Sequence, residues 1–508
     1  MRRAAADPRR GRRRLSGAAI LLLSLPAAVS AAAGNGSEGE DPAPRAYVTR
    51  HAGTFNGTRV AYTASVAETL LPGAAGDRSA SVFTISYVAD DVRDPARRPV
   101  IFIFNGGPGS SSVYLHMGAF GPKRVPLPED LDAGSSAPYR LVDNDATLLD
   151  VADLVFLDPL ETGFSRIFSD EDRPRFYSTE GDAAYLAEVI NRWVREHGRE
   201  DSPKYLMGES YGTIRAPMLA RALYDSESRT AVNGLILLGP AVTLGETATR
   251  PGNILAYALA VPYMAATAWY HGVVDGGGAG FENFLDEARR FALTEYLPAL
   301  AQGRLLPPPR QREIAAKLER FTGVSAAYFL RHELAIKKTE FRYELLRDRG
   351  LVLGANDSRY TSPAPGGLQG DEAVDASSWA ILPAYVAGLQ RHLRRNLGVD
   401  LPLDYVVHDR KASASWNWGR PASPFADFSW AGVLSALMKG NPAMRVFYGV
   451  GYYDPLTTIG AAEYTVARAD YPLERVELEY YHGGHMMYVD EQSFRKLAAD
   501  VRRFIGGT

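Results

Sequence analysis

Five short runs of almost unbroken apolar residues constrain this chain most: "PVIFIFN", "DLVFLDP", "KYLMGES", "GLILLGP" and "MRVFYGVG". A strand with one wet face alternates polar and apolar residues, whereas a strand covered on both faces does not. Runs of this kind therefore predict strands buried in a parallel sheet. Several are separated by helix-like segments, such as Asp182 to Glu196, so the helices would supply the cover. Residues 46 to 104 differ, because "TRVAYTASVAE" and "SVFTISYVAD" alternate and read as antiparallel strands. The predicted class is α/β, with a mixed, mostly parallel central sheet flanked by helices.

About two hundred residues of another texture separate "GLILLGPAV" from "MRVFYGVG". They contain helix-like segments, Pro307 to Pro309, and a Gly/Pro/Asp-rich stretch near Ala355 to Asp375. This predicts a large helical insertion, a lid or cap over the ligand edge of the sheet. The expected organisation is residues 34–243 as the first part of the core, 244–430 as the cap and 431–508 as the second part. Ile254 to Tyr270 is apolar enough to suggest a membrane span, but Pro262 and its modest length favour a buried or amphipathic cap helix.

Ahead of the core, Arg9, Arg10, Arg12, Arg13 and Arg14 precede an apolar stretch from about Ala18 to Val29 and then small residues. That order predicts a signal peptide over residues 1–33, with cleavage between Ser30 and Ala33, and hence an exported protein, periplasmic or secreted. An uncleaved anchor, a disordered basic tail and a twin-arginine route are the alternatives. The net charge of -3 gives no basic footprint for nucleic acid. With no cysteine in the chain, disulfides, thiol catalysis and cysteine metal sites are excluded.

Within "MGESYG", Ser210 stands in a Gly-x-Ser-x-Gly frame, the pattern of a nucleophile held on a tight strand-to-helix turn. A serine hydroxyl is a weak nucleophile and needs a base, itself oriented by a third group. His485 lies just beyond the strand-like "RVELEYY", and Asp454 follows "VFYGVGYY", so both fall where strands open into turns. Ser, Asp, His is the chain order of the α/β-hydrolase arrangement. Taken singly, Asp454 could instead cap the helix after it, and His485 could be a hydrogen-bonded loop residue. The turn "NGGPG", Asn105 to Gly109, would let backbone amides approach an oxyanion; its spacing does not fit a dinucleotide fingerprint.

In "NGGPGSSS", "FLDPLETGFSR", "MGESYG", "GVGYYDP" and "HGGHMMY" the chain resembles the serine carboxypeptidases, the family of cathepsin A and yeast carboxypeptidase Y. "VPYMAATAWYHG" and "WNWG" resemble its bacterial secreted branch. The resemblance implies an α/β-hydrolase fold that needs no cofactor or metal, with Ser210 as nucleophile, His485 as base and then acid, and Asp454 as its partner. It implies oxyanion donors at the amides of Gly107 and Tyr211, and a site for the substrate's terminal carboxylate at Asn105, Gly106 and Glu209. Two carboxylates repel unless one is protonated, so this role of Glu209 implies a preference for acidic pH. The expected partners are peptide or protein C-termini, with no nucleic acid and no stable membrane partner.

The chain also departs from the family pattern. Ala119 stands where many members carry a second glutamate, Ile103 replaces a tryptophan, and Ser110 replaces a cysteine. Glu209 could alternatively be a structural acid paired with an arginine such as Arg215. His482 and His485 could bind a metal only with further ligands; His116 and Ser165 lie in matched motifs without an elbow. Trp416 and Trp418 are candidates for core or for a substrate platform. An esterase, amidase or acyltransferase on the same fold, or a non-catalytic binding protein, remains the competing reading.

Overall fold

A computed structural model describes residues 43–73, 78–131, 135–278, 280–364, 375–419 and 428–507. The expected signal peptide lies outside the described residues. The strands are β1 (Ala46–Phe55), β2 (Thr58–Pro72), β3 (Arg78–Ala89), β4 (Val100–Phe104), β5 (Asp153–Leu157), β6 (Lys204–Glu209), β7 (Gly234–Leu238), β8 (Arg445–Gly451) and β9 (Val476–Tyr481). They join one sheet in the order β1-β2-β3-β5-β4-β6-β7-β8-β9. The first three pair antiparallel, β3 meets β5 antiparallel, and every later pairing is parallel.

Burial follows the residue pattern. All residues of β4, β5, β6 and β7 are buried, as their unbroken apolar runs require, while β2 alternates along its first half. β3 departs from its alternating sequence: its serines and threonine are buried too, because β2 and β5 flank it and packed side chains cover both faces.

The helices used below are α1 (Thr179–Glu196), α2 (Gly212–Asp225), α3 (Ile254–Tyr270), α4 (Phe281–Phe291), α5 (Pro308–Thr322), α6 (Lys338–Glu344), α7 (Ala376–Arg395), α8 (Ala431–Gly440), α9 (Ile459–Arg468) and α10 (Glu491–Gly506). Helices α1, α2 and α8 share one core with a face of the sheet, and α7 and α10 share another.

Residues between β7 and β8 divide by packing. Helices α3 to α6 build a third core, joined to the sheet through Val450, Tyr452, Tyr453 and Ile459. Helix α7 instead contributes Ile381, Tyr385, Leu389 and Leu393 to the core beneath β1 to β3. Helix α3 is the stretch whose apolar character suggested a membrane span. Its residues from Ala256 to Ala268 are buried against protein, and no helix among the described residues is long and apolar enough to cross a membrane.

Candidate active site

Strand β6 ends at Glu209 and helix α2 begins at Gly212, so Ser210 sits on the turn between them with φ of +59°. A positive φ is uncommon for a residue with a side chain and costs of order 1–3 kcal/mol. The frame tolerates it because its glycines make room. A Cβ on Gly208 would lie 2.1 Å from the Gly212 carbonyl oxygen, and one on Gly106 would lie 2.4 Å from the Tyr211 amide nitrogen. The second contact also brings the Asn105–Gly107 turn, at the end of β4, against the start of α2. The candidate oxyanion donors Gly107 and Tyr211 therefore belong to touching segments, with the positive end of α2 behind them.

Asp454 and His485 follow β8 and β9. His485 Nδ1 donates to Asp454 Oδ2 at 2.7 Å, and both side chains are buried. The Asp454 carboxylate also accepts from the amides of Leu456 (2.7 Å) and Thr457 (3.0 Å) and from Thr457 Oγ1 (2.6 Å). The residue before α9 is Thr458, so Asp454 makes a turn of its own rather than capping that helix. Burial pushes the Asp454 pKa up, but the charge and hydrogen bonds of His485 and Thr457 outweigh it and hold the pKa low. For His485 burial works downward, and the neighbouring charges of Asp454 and Glu209 raise the pKa above its ordinary value.

With Nδ1 engaged, Nε2 is the free face of the imidazole. It is buried without a hydrogen-bond partner among the described residues, and Ser210 and His485 line one cavity of about 240 Å³. Ser210 and His485 Nε2 therefore make no hydrogen bond with each other, although both border this cavity.

Glu209, 4% exposed, lines the same cavity. Its Oε1 accepts from Asn105 Nδ2 at 2.8 Å and its Oε2 from the Tyr488 hydroxyl at 2.6 Å. Arg215 does not pair with it. That guanidinium bonds Asp182 Oδ2 at 2.6 Å and the Asn105 carbonyl, and so braces the glycine turn from behind. Burial pushes the Glu209 pKa up to about 7 against the opposing pull of His485, Tyr488 and Asn105. Ala119 brings no carboxyl group to Glu209; the phenol of Tyr488 takes its second oxygen.

Several contributors were not singled out from sequence. Asp158, inside "FLDPLETGFSR", accepts from Ser112 N (2.8 Å) and Oγ (2.7 Å) and fixes the end of the glycine turn. His408 bridges Ser110 Oγ (3.0 Å) and Tyr114 OH (2.7 Å), and all three residues line the cavity. Lys338 donates to Thr247 Oγ1 at 2.8 Å and to the Leu456 carbonyl at 2.9 Å, two residues past Asp454; burial pushes its pKa down to about 8. Tyr488 and Asp158 carried a signal, through their places in "HGGHMMY" and "FLDPLETGFSR". His408 and Lys338 lie far along the chain from their partners.

The remaining candidates have local roles. Ser165 Oγ ties the Asp158 carbonyl to the Phe83 amide, and His116 is buried between Phe156 and the Tyr87 hydroxyl. His482 Nδ1 meets Tyr453 OH at 3.2 Å, and its ring lies among Phe281, Tyr452 and Tyr453. Trp416 and Trp418 pack edge-on against the Tyr211 ring, with centroids at 5.3 and 5.7 Å, and so support the elbow.

The mostly parallel sheet, the strained serine turn and the aspartate–histidine pair at the strand ends define the α/β-hydrolase fold. Residues 76–283 match the family model described as serine carboxypeptidase. Pheromone-processing carboxypeptidase kex1 of Pyrenophora tritici-repentis is 32% identical over 137 residues, 26% of this chain and 19% of that protein. Serine carboxypeptidase-like 35 of Arabidopsis thaliana is 27% identical over 189 residues, 36% of this chain and 35% of that protein. The chain thus spans about a fifth to a third of the length of these curated relatives. Among solved structures, Kex1(delta)p, a prohormone-processing carboxypeptidase from Saccharomyces cerevisiae, aligns over 87% of this chain and 91% of that chain. Its TM-score is 0.52 at 14% identity, a likeness of fold.

Proposed function

We propose that this chain is an exported serine-type carboxypeptidase that removes C-terminal residues through an acyl-enzyme on Ser210. One observation carries the reading: a buried carboxyl group, Glu209, borders the same cavity as the elbow serine and the free Nε2 side of His485. A triad alone would serve any acyl transfer. A neutral carboxyl group beside it gives a hydrogen-bond donor for a terminal carboxylate. Export is supported by the basic, apolar and small-residue order of the first residues.

In this mechanism the peptide's last carboxylate bonds Glu209, in its protonated form, and the Asn105–Gly106 turn. Ser210 Oγ attacks the preceding carbonyl carbon as its proton passes to His485 Nε2, and the Gly107 and Tyr211 amides hold the oxyanion. The imidazolium, stabilised by Asp454, protonates the leaving nitrogen; the C–N bond breaks and a free amino acid departs. Water then attacks the Ser210 ester by the same route reversed.

Glu209 and His485 share a constraint, since each stabilises the charged form of the other. The active form has a proton on Glu209 and none on Nε2. With the same proton count, the charged alternative has the proton on His485, so the pair titrates as a unit. A substrate carboxylate next to Glu209 disfavours the charged alternative and selects the active one.

The test is a peptide offered with a free C-terminus and again as its amide, to wild type and to Ser210→Ala. Stepwise loss of terminal residues from the free peptide only, abolished by the substitution, is the expected result. Equal cleavage of both peptides, or turnover of simple esters only, would point to an esterase or amidase instead.

A further inference from the structure

The segment Gly354–Tyr360, between α6 and α7, reaches into the back of the candidate active site. Its contacts are with the histidine loop rather than with the cavity alone. The His485 amide donates to the Asn356 carbonyl at 2.7 Å, and the Gly484 amide donates to Asp357 Oδ2 at 3.1 Å. Arg359 Nη1 donates to the His482 carbonyl at 2.8 Å. Three of the loop's backbone groups, across four residues, are thus held by one short segment.

The segment also holds the aspartate side. The Ser358 amide donates to the Tyr453 carbonyl at 3.1 Å, one residue before Asp454. Asp357 and Arg359 pair with each other at 2.7 Å, and they are only 2% and 7% exposed. A buried ion pair gains little net stability over apolar packing, and removing one partner leaves the other charge uncompensated. Its value here lies in direction: each member of the pair spends a hydrogen bond on the histidine loop. The fit is close, because a Cβ on Gly484 would lie 2.3 Å from the Asp357 Cβ.

The segment is itself anchored. Asn356 Nδ2 bonds Asp375 Oδ2 and Ser378 Oγ at the start of α7, both at 3.0 Å, and Ser358 Oγ meets the Tyr263 hydroxyl of α3 at 2.7 Å. It therefore links both halves of the insertion to both catalytic loops.

We infer that Asp357 and Arg359 are positioning residues for the acid–base pair, setting the distance and angle of His485 to Ser210 and Asp454, so that the insertion completes the catalytic machinery rather than only covering it. This rests on the Ser210–His485–Asp454 reading above. A misplacement of about 1 Å in a reacting group costs up to about 100-fold in rate.

The test is the second-order rate of Ser210 labelling by a small fluorophosphonate, which needs the base but not the carboxylate site, alongside peptide kinetics on the full chain. Asp357→Asn is expected to slow labelling and kcat by about 10- to 100-fold while KM changes less than about threefold. The charged groups around His485 are Asp454, Glu209 and Lys338. Weaker contact with Asp454 would move the acid limb of the labelling profile to lower pH. Arg359→Lys keeps a charged donor and is expected to retain more activity than Arg359→Gln, a comparison that stands even if Asp357→Asn does not fold. Asp153→Asn, which breaks a buried pair with Arg98 and Arg199 at the other end of the sheet, serves as the control for general destabilisation. Wild-type labelling rates in folded Asp357→Asn, or equal losses in both Arg359 variants, would overturn the inference alone. No labelling of wild-type Ser210 would remove the catalytic reading and the inference with it.

Discussion

In the proposed mechanism Glu209 must be neutral to hold a carboxylate, and His485 must be neutral to take a proton from Ser210. With Glu209 titrating near 7 and His485 above its ordinary value, kcat/KM on free peptides should trace a narrow bell near neutrality, lost on the acid side to His485 and on the alkaline side to Glu209. Amidated or ester substrates should keep the acid limb and show no alkaline one. Glu209→Gln keeps a neutral donor at every pH, so it should abolish the alkaline limb; Glu209→Ala should cut the preference for free over amidated C-termini by about 10- to 100-fold. Tyr488→Phe removes a hydrogen bond that favours the ionised form of Glu209, and the alkaline limb should move to higher pH. An unmoved limb in both Glu209→Gln and Tyr488→Phe would take carboxylate binding away from this residue.

The turn from β6 into α2 is the element on which the site depends. Gly208→Ala places a methyl group 2.1 Å from the Gly212 carbonyl oxygen, so it should destabilise the fold by about 1–3 kcal/mol or more, read by denaturant unfolding, or open the elbow and abolish labelling of Ser210. This turn was legible because its glycines answer local demands of backbone, and local demands leave marks in sequence. The parallel strands were legible for a similar reason, since burial on both faces admits few polar residues. The partition of the insertion was not: α3 and α7 each bring an apolar face, and which core each joins depends on partners from far along the chain. For the same reason Asp357 and Arg359 gave no signal, being a close pair whose target, the His482–His485 loop, lies over a hundred residues away. In β3, Ser81 and Ser86 fall on opposite faces of the strand and are both buried, because packed side chains cover the two faces.

At the scale of the whole molecule, two buried imidazoles away from the cavity should cost stability in acid. The Tyr87 hydroxyl meets His116 Nε2 at 2.8 Å and His392 Nε2 at 2.9 Å, joining the sheet to α7 through two buried imidazoles. Burial lowers both pKa values, to about 4 for His392. The unfolded chain therefore binds protons more readily than the folded one once pH drops below about 6.5, and stability should fall from there toward 4 by roughly 1.4 kcal/mol per pH unit per histidine. In Tm measured against pH, His392→Gln should flatten that decline; a parallel curve would show that the pair does not govern it. All of the chemistry proposed here passes through one covalent species, and that species can be weighed. Acid quenching during turnover of a peptide with a free C-terminus, followed by digestion and mass spectrometry, should find the fragment containing Ser210 heavier by the mass of the peptide less that of its last amino acid, with one free amino acid released per adduct. Steady turnover with no such increment on Ser210, or an increment on another residue, would contradict the account.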